Sequence, residues 1–223
     1  ITYANGMVPN GFYLVDNTGS IYIYGNDAAS SVKEGNTVSV IGEKTYYVLA
    51  TEQTNADKFG YKGCCQLQNA TVVENDKGNT DFDKSWITEY TIKEIMETPV
   101  TENITTNIFK VNALVKKVPG NGFVNYYFND IDGVTGSYTY TACNGNDFAW
   151  LDEFDGKICT VYLSPMNAKS TTSGCIYRFM PIEVVYENYT FTGNAAEYAV
   201  KYHGLDQFLN EYDADPALEV LTE

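Results

Sequence analysis

The stretch "GFYLVDNTGSIYIYG", residues 11–25, carries two alternating runs on either side of the turn-forming "DNTG". Alternation with a period of two is the pattern of a half-buried strand, and an Asp/Asn/Gly break between two such runs predicts an antiparallel hairpin. Phe12, Leu14, Ile21 and Ile23 share one phase, that of the core. Tyr13, Tyr22 and Tyr24 share the other, so a strip of aromatic rings is expected on the outer face of the sheet. Strands favour tyrosine and cross-strand ring pairs stabilise sheets, so the strip has a structural explanation beside a ligand-binding one.

The hairpin continues into "SVKEGNTVSVIG" (31–42) and "QLQNATVVEN" (66–75), and the same order recurs downstream. There "NIFKVNALVKKVPGNGFVNYYFND" (107–130) ends on Asp130 as the first hairpin strand ends on Asp16. "GSYTYT" (136–141) follows as "GSIYIY" (19–24) does, "FDGKICTVYL" (154–163) matches "KEGNTVSV", and "YRFMPIEVVYEN" (177–188) matches "QLQNATVVEN". Four landmarks in one order indicate an internal duplication. Each copy has a first strand, a hairpin pair, a short break and two more strands. In the second break Phe148, Leu151 and Phe154 are placed to form one apolar side of a short helix. Aligning Ser137 with Ser20 puts Tyr138 and Tyr140 in the inner phase, so only the first copy is expected to present tyrosines outward.

Five strands with a helix or loop between the third and fourth is the plan of the oligonucleotide/oligosaccharide-binding (OB) fold. The pattern "GFYLVD.TG.IYIY…VKEGN.VSV.G" resembles the OB-type domains of secreted bacterial proteins, over residues 1–75 and again over 107–187. The expected fold is mainly all-β: two five-stranded OB-fold-like Greek-key barrels in tandem, with a short linking helix and a short C-terminal helical segment. The expected segments are a first barrel (1–75), a linker with a helix (76–106), a second barrel (107–187) and a helical end (188–223). Within the linker, Thr91 and Glu94 have the spacing of a capping box. Asn194 and Glu197 mark a helix start in the last segment, with Val200, Leu205, Phe208 and Leu209 as its docking side. The opening "ITYANG" has no counterpart of "NIFKVNAL", and the chain is expected to be part of a longer multidomain protein.

Lys and Arg total 14 against 29 for Asp and Glu, a formal charge of −15. Such a field repels phosphate backbones, so nucleic acid is a disfavoured partner. His203 is the only histidine, and no nucleophile elbow, HExxH, P-loop or Rossmann glycine pattern occurs, so the chain is not expected to be an enzyme. The five cysteines, Cys64, Cys65, Cys143, Cys159 and Cys175, fit buried thiols better than a disulfide framework, with one bridge in the second half as the alternative. Asp76, Asn79, Asp81 and Asp83, and Asp130 with Asp132, have the hard oxygen donors that suit calcium. Asp and Asn also favour turns by bonding their own backbone, and no cofactor is expected. No apolar run reaches the length of about 18 residues that a membrane span needs.

In the OB fold, ligands bind on the outer face of strands two and three and on the loops joining strands one to two and four to five. In the first copy those loops are "NGMVPN" (5–10) and "TEQTNADKFGYKG" (51–63). The candidate ligand-binding residues are therefore Tyr13, Tyr22 and Tyr24 as stacking platforms, with Tyr47, Phe59 and Tyr61 closing over them. Aromatic faces beside Asn, Asp and Gln suit sugar rings and need no positive charge. The expected role is a non-catalytic, extracellular or cell-surface module whose partner is a glycan. Two alternatives are a spacer or protein-docking unit of a larger surface protein and a module that captures single-stranded nucleic acid beside a nuclease.

Overall fold

The computed structural model describes residues 1–78, 83–97, 106–130, 138–140, 145–170 and 175–186. For residues 55, 59, 130, 138–140, 145–146, 167–170 and 175–177 the backbone alone is described. The expected C-terminal helical segment, with His203, and the candidate calcium donors Asn79, Asp81 and Asp132 lie outside this set.

In chain order the elements are β1 (Thr2–Tyr3), β2 (Gly11–Asp16), β3 (Gly19–Tyr24), α1 (Asn26–Ser30), β4 (Thr37–Tyr47), a 3-10 turn (Ala50–Glu52), α2 (Gln53–Phe59), β5 (Cys64–Asp76), α3 (Ile92–Glu97), β6 (Phe109–Pro119), β7 (Val124–Asp130), β8 (Tyr138–Tyr140), a 3-10 segment (Gly145–Phe154), β9 (Ile158–Ser170) and β10 (Cys175–Val185). The chain is mainly β and forms two five-stranded sheets, ordered β1-β2-β3-β5-β4 and β10-β9-β6-β7-β8. Two compact units are made of Ile1–Glu89, Pro99–Lys110 and Tyr162–Glu183, and of Tyr90–Thr98, Val111–Val161 and Val184–Glu223.

The hairpin pairs Phe12 with Ile23, Tyr13 with Tyr22 and Asp16 with Gly19. Its turn is held by the Asp16 carboxylate, which accepts a bond from the Thr18 N–H at 2.7 Å. The bond from the Thr18 hydroxyl, and then that from its N–H, hold the Asp16 carboxyl below its ordinary pKa. β3 lies parallel to β5, and β5 antiparallel to β4. The inner phase forms the core: Phe12 and Ile23 are buried with Ala28 and Val32, and Leu14, Ile21, Val38 and Val40 pack against them.

The two units share a local feature. In the first unit the Gly35 N–H donates to Thr2 O at 2.8 Å and the Thr2 N–H donates to Asn36 O at 2.8 Å. In the second the Gly156 N–H donates to Val115 O at 2.8 Å and the Val115 N–H to Lys157 O at 2.9 Å. Gly35 has φ 81° and Gly156 φ 77°. A left-handed glycine whose N–H, with the carbonyl of the next residue, faces one residue of the partner strand is a G1 bulge, and only glycine takes that conformation without strain. The "EGN" and "DGK" steps aligned in the sequence are thus the same bulge, which places Thr2 in the position of Val115.

Thr91 and Glu94 form the capping box. The Thr91 N–H donates to Glu94 Oε2 at 2.8 Å and the Glu94 N–H donates to Thr91 Oγ1 at 3.1 Å. The Thr91 N–H, and then its hydroxyl, both bonded to Glu94 Oε2, hold the Glu94 carboxyl below its ordinary pKa, so its contribution is present above the unfolded carboxyl pKa and is lost as pH falls through the folded one. Thr91→Ala removes the cap of α3 and is expected to cost about 1 kcal/mol in chemical denaturation. A stability within 0.3 kcal/mol of the parent, on the same scale, would show that the box contributes nothing.

Two expectations are corrected in part. The stretch 51–63, read as a loop, holds the 3-10 turn and α2. Tyr61 follows a left-handed Gly60 at the end of α2, and its N–H donates to Ala56 O at 2.9 Å while the Gly60 N–H donates to Asp57 O. This closure folds the Tyr61 ring back onto Ala56 and Val48. In the second break Phe148 and Leu151 are buried and Phe154 half-buried, on a 3-10 segment interrupted at Phe148 rather than an α-helix.

Candidate functional site

Register places one row of side chains across all five strands of the first sheet: Tyr3 opposite Tyr13, Tyr13 opposite Tyr22, Tyr22 opposite Gln66 and Gln66 opposite Thr45. Tyr13 and Tyr22 sit on the face opposite Phe12 and Ile23, as the alternation predicted, yet they are 1% and 3% exposed. The expected open strip is therefore corrected: its first two rings are interior. Their centroids lie 5.4 Å apart, and the Tyr22 hydroxyl donates to the Pro9 carbonyl.

Tyr162, Pro165 and Glu183, of the same unit, reach Tyr3, Cys64 and Lys84. The Tyr3 hydroxyl donates to Glu183 Oε2, and Cys64 Sγ donates to Pro165 O at 3.4 Å. Lys84 Nζ donates to both Glu183 oxygens, at 2.7 and 2.9 Å, and lies 5.6 Å from the Tyr3 ring centroid and 5.5 Å from that of Tyr162. An ammonium between two ring faces and a carboxylate is a cation–π arrangement with its counter-ion built in. Burial, and then the Glu183 charge, push the Tyr3 hydroxyl far above its ordinary pKa, so it remains a donor. Burial also raises the Glu34 carboxyl. Sequence reasoning missed this tie because Lys84 and Glu183 are 99 residues apart and neither has a local signature.

The other candidates scatter. Tyr61 is buried beneath α2, so it does not close over a ligand. Tyr47 is exposed at the end of β4, and the side chain of Phe59 lies outside the described ones. Tyr24 is 45% exposed, its ring 6.3 Å from that of Tyr22. In the second copy the register sets Thr139 opposite Phe128, and Tyr138 and Tyr140 opposite Asn129 and Tyr127. Their side chains, and with them the inner phase expected of these tyrosines, lie outside the described ones.

Tyr24 borders an open depression of about 420 Å³ lined also by Asn26, Asp27, Gln68 and Asn69. Three local features build it. Gly25, at φ 152°, turns the chain out of β3 into α1. The β4–β5 register shifts between Ile41 and Glu43. Opposite that shift Asn69 takes φ 50°, which asparagine tolerates, and its amide donates to Glu43 Oε2 at 3.0 Å. A bulge re-aims side chains at a strand edge, and here it brings two amides toward an exposed ring. The volume falls within the range of small-ligand sites, about 300–1,000 Å³.

In the second unit Lys117 Nζ donates to Asp152 Oδ2 at 2.8 Å, and the Tyr126 hydroxyl donates to Oδ1. These bonds, that of Lys117 first, lower the Asp152 carboxyl, whereas burial raises the Tyr126 hydroxyl. The group ties the 3-10 segment to β6 and β7. Cys64, Cys65 and Cys159 are buried, whereas the side chains of Cys143 and Cys175 are not described. Asp76 and Asp83 accept bonds from the N–H groups of Gly78 and Ser85, as turn formers do. Among the described residues no helix is long and apolar enough to cross a membrane.

No protein-family model, curated protein or solved structure matches this chain.

Proposed function

We propose that the chain is a tandem OB-type, non-catalytic binding module of an extracellular or cell-surface protein, and that its first copy binds a neutral glycan at the Tyr24 depression. The observation that carries this reading is the half-exposed Tyr24 ring bordered by Asn26, Asp27, Gln68 and Asn69. An apolar ring face beside amide and carboxylate groups offers stacking to a sugar ring and hydrogen bonds to its hydroxyls. Relative to the site expected from sequence, Tyr24 is retained, with Tyr22 beside it and Tyr13 behind Tyr22 as buried support.

The OB part of the reading is supported by topology. The order β1-β2-β3-β5-β4, with β3 parallel to β5, is that of an OB barrel cut open between its first and fourth strands. The order β10-β9-β6-β7-β8 is the same cycle cut open between its third and fifth strands. The G1 bulge joins the first strand to the approach of the fourth in both copies.

A glycan array with the intact protein, followed by calorimetry on the best hit, tests the site. Tyr24→Ala is expected to weaken binding at least about tenfold while leaving stability within 0.5 kcal/mol of the parent, as befits a surface position. Undiminished affinity in the variant, or no glycan bound at all, removes the assignment. The burial of Tyr13 and Tyr22 favours a second reading, a spacer or protein-docking unit in which the aromatic row serves as core.

A further inference from the structure

Four Asn–Gly steps occur in the chain, at residues 5–6, 10–11, 121–122 and 144–145. A glycine after asparagine has no side chain to shield its main-chain nitrogen, so in the sequence all four are the same reactive pair. The fold treats three of them differently, and Asn144 lies outside the described residues. The Asn5 amide donates to Ala29 O at 3.2 Å and to Val32 O at 2.9 Å, which ties that side chain down. Asn10 precedes Gly11, which is buried, paired with Tyr24, and so crowded that a Cβ there would lie 2.2 Å from Ile23 O and 2.9 Å from Tyr22 Cε2. The Asn10 carbonyl is fixed as well, by the Gly25 N–H at 2.8 Å. Asn121 and Gly122 instead form the tip of the β6–β7 hairpin. The Gly120 N–H donates to Phe123 O at 2.8 Å, and the two residues between them are exposed. Gly122 takes φ 80° with nothing within 4 Å of an added Cβ. Among the described residues neither the Asn121 amide nor the Gly122 N–H has a hydrogen-bond partner.

We propose that Asn121 is a modification site, at which the folded protein converts its own asparagine to aspartate and isoaspartate with water as the only co-reactant. The Gly122 nitrogen, losing its proton, attacks the side-chain carbonyl carbon of Asn121. The new C–N bond closes a five-membered succinimide, and the side-chain nitrogen leaves as ammonia, carrying that proton. Water then adds to either ring carbonyl and breaks its bond to the ring nitrogen, which regains a proton. Opening at the side-chain carbonyl gives aspartate, and opening at the main-chain carbonyl gives isoaspartate. Ring closure requires the asparagine side chain and the following peptide to rotate toward each other, which a tied side chain or a buried strand residue permits only after local opening. Isoaspartate lengthens the two-residue connection by one main-chain carbon, and the pairing of Gly120 with Phe123 depends on the length of that connection. Either product adds a negative charge beside the exposed Val118 and Phe123. In the OB-type reading the tip joins strands one and two and is one of the ligand-bearing loops of that fold, whereas the conversion itself depends on the hairpin alone.

The test incubates the intact protein at mildly alkaline pH, which raises the fraction of deprotonated nitrogen, and samples it over weeks by chymotryptic digestion and mass spectrometry. Fragment ions locate the mass gain of an amide turned acid, and electron-transfer fragments distinguish isoaspartate from aspartate. Asn121 is expected to convert at least about tenfold faster than Asn5 and Asn10, because each of those must first break native bonds. In guanidinium chloride the three rates are expected to agree within about twofold, since the same pair is then equally free at each position. Asn121→Gln, whose longer side chain closes the ring poorly, is expected to show no gain at its position. Three outcomes overturn the proposal. They are Asn5 or Asn10 keeping pace with Asn121 in the folded protein, the folded ordering persisting in guanidinium chloride, or a folded Asn121 that stays intact while the unfolded one converts.

Discussion

Replacing Tyr22 by alanine is expected to destabilise the first unit by about 3–5 kcal/mol, the cost of emptying a fully buried aromatic site. The ring lies over the bare backbone of Gly11: a Cβ there would come within 2.9 Å of Tyr22 Cε2 and 2.2 Å of the Ile23 carbonyl. It also stands between Tyr13 and Tyr24 in the aromatic row. No neighbour can fill the space without pulling a strand inward, so the cavity term adds to the transfer term. Tyr22→Phe keeps the ring and removes only the bond to the Pro9 carbonyl, for about 1 kcal/mol. Urea denaturation measures both, read from the midpoint at constant slope. A Tyr22→Ala variant as stable as the parent would mean that the ring is a surface platform after all.

Gly63→Ala is expected to cost about 3 kcal/mol, from left-handed strain and overpacking together. Gly63 has φ 109°, and an added Cβ would lie 2.5 Å from the Tyr47 carbonyl oxygen and 2.8 Å from its carbon. Both obstacles are main chain, at the point where Tyr47 pairs with Cys64 and the long β4–β5 ladder begins. Gly60 separates the two causes. It has φ 70° with nothing within 4 Å of an added Cβ, so Gly60→Ala carries the conformational term alone, about 1 kcal/mol. Thermal and urea unfolding of the two variants side by side check the difference. Equal costs would show that the approach of Tyr47 is relieved by a small backbone shift and that strain at positive φ is all that matters.

The strand content and the hairpin were legible because each rests on local rules. Alternation of Phe12, Leu14, Ile21 and Ile23 against the tyrosines is a statement about successive Cβ directions, and the register of the hairpin obeys it. The "EGN" and "DGK" steps announce left-handed glycines, and both form the same bulge. Thr91 and Glu94 find each other across a single turn. What failed locally was α2, because "TEQTNADKFGYKG" has the polarity of a loop and its closing Gly60–Tyr61 motif becomes visible only once the helix is known.

The candidate site was legible in phase and not in exposure. Periodicity assigns Tyr13, Tyr22 and Tyr24 to one face, but it carries no information about what lies against that face. Residues far along the chain reach its neighbours: Glu183 meets Tyr3 and Lys84, and the Pro165 carbonyl meets Cys64. Burial is a sum over segments far apart in the chain, so it turns two of three chemically identical rings into core and leaves Tyr24 beside a bulge and two amides. By itself the sequence determined the strands, their order of appearance and which side of the first sheet each tyrosine occupies, since those follow from neighbours a few residues away. Tertiary structure alone decided which rings water can reach, because that depends on contacts between residues that are distant in sequence.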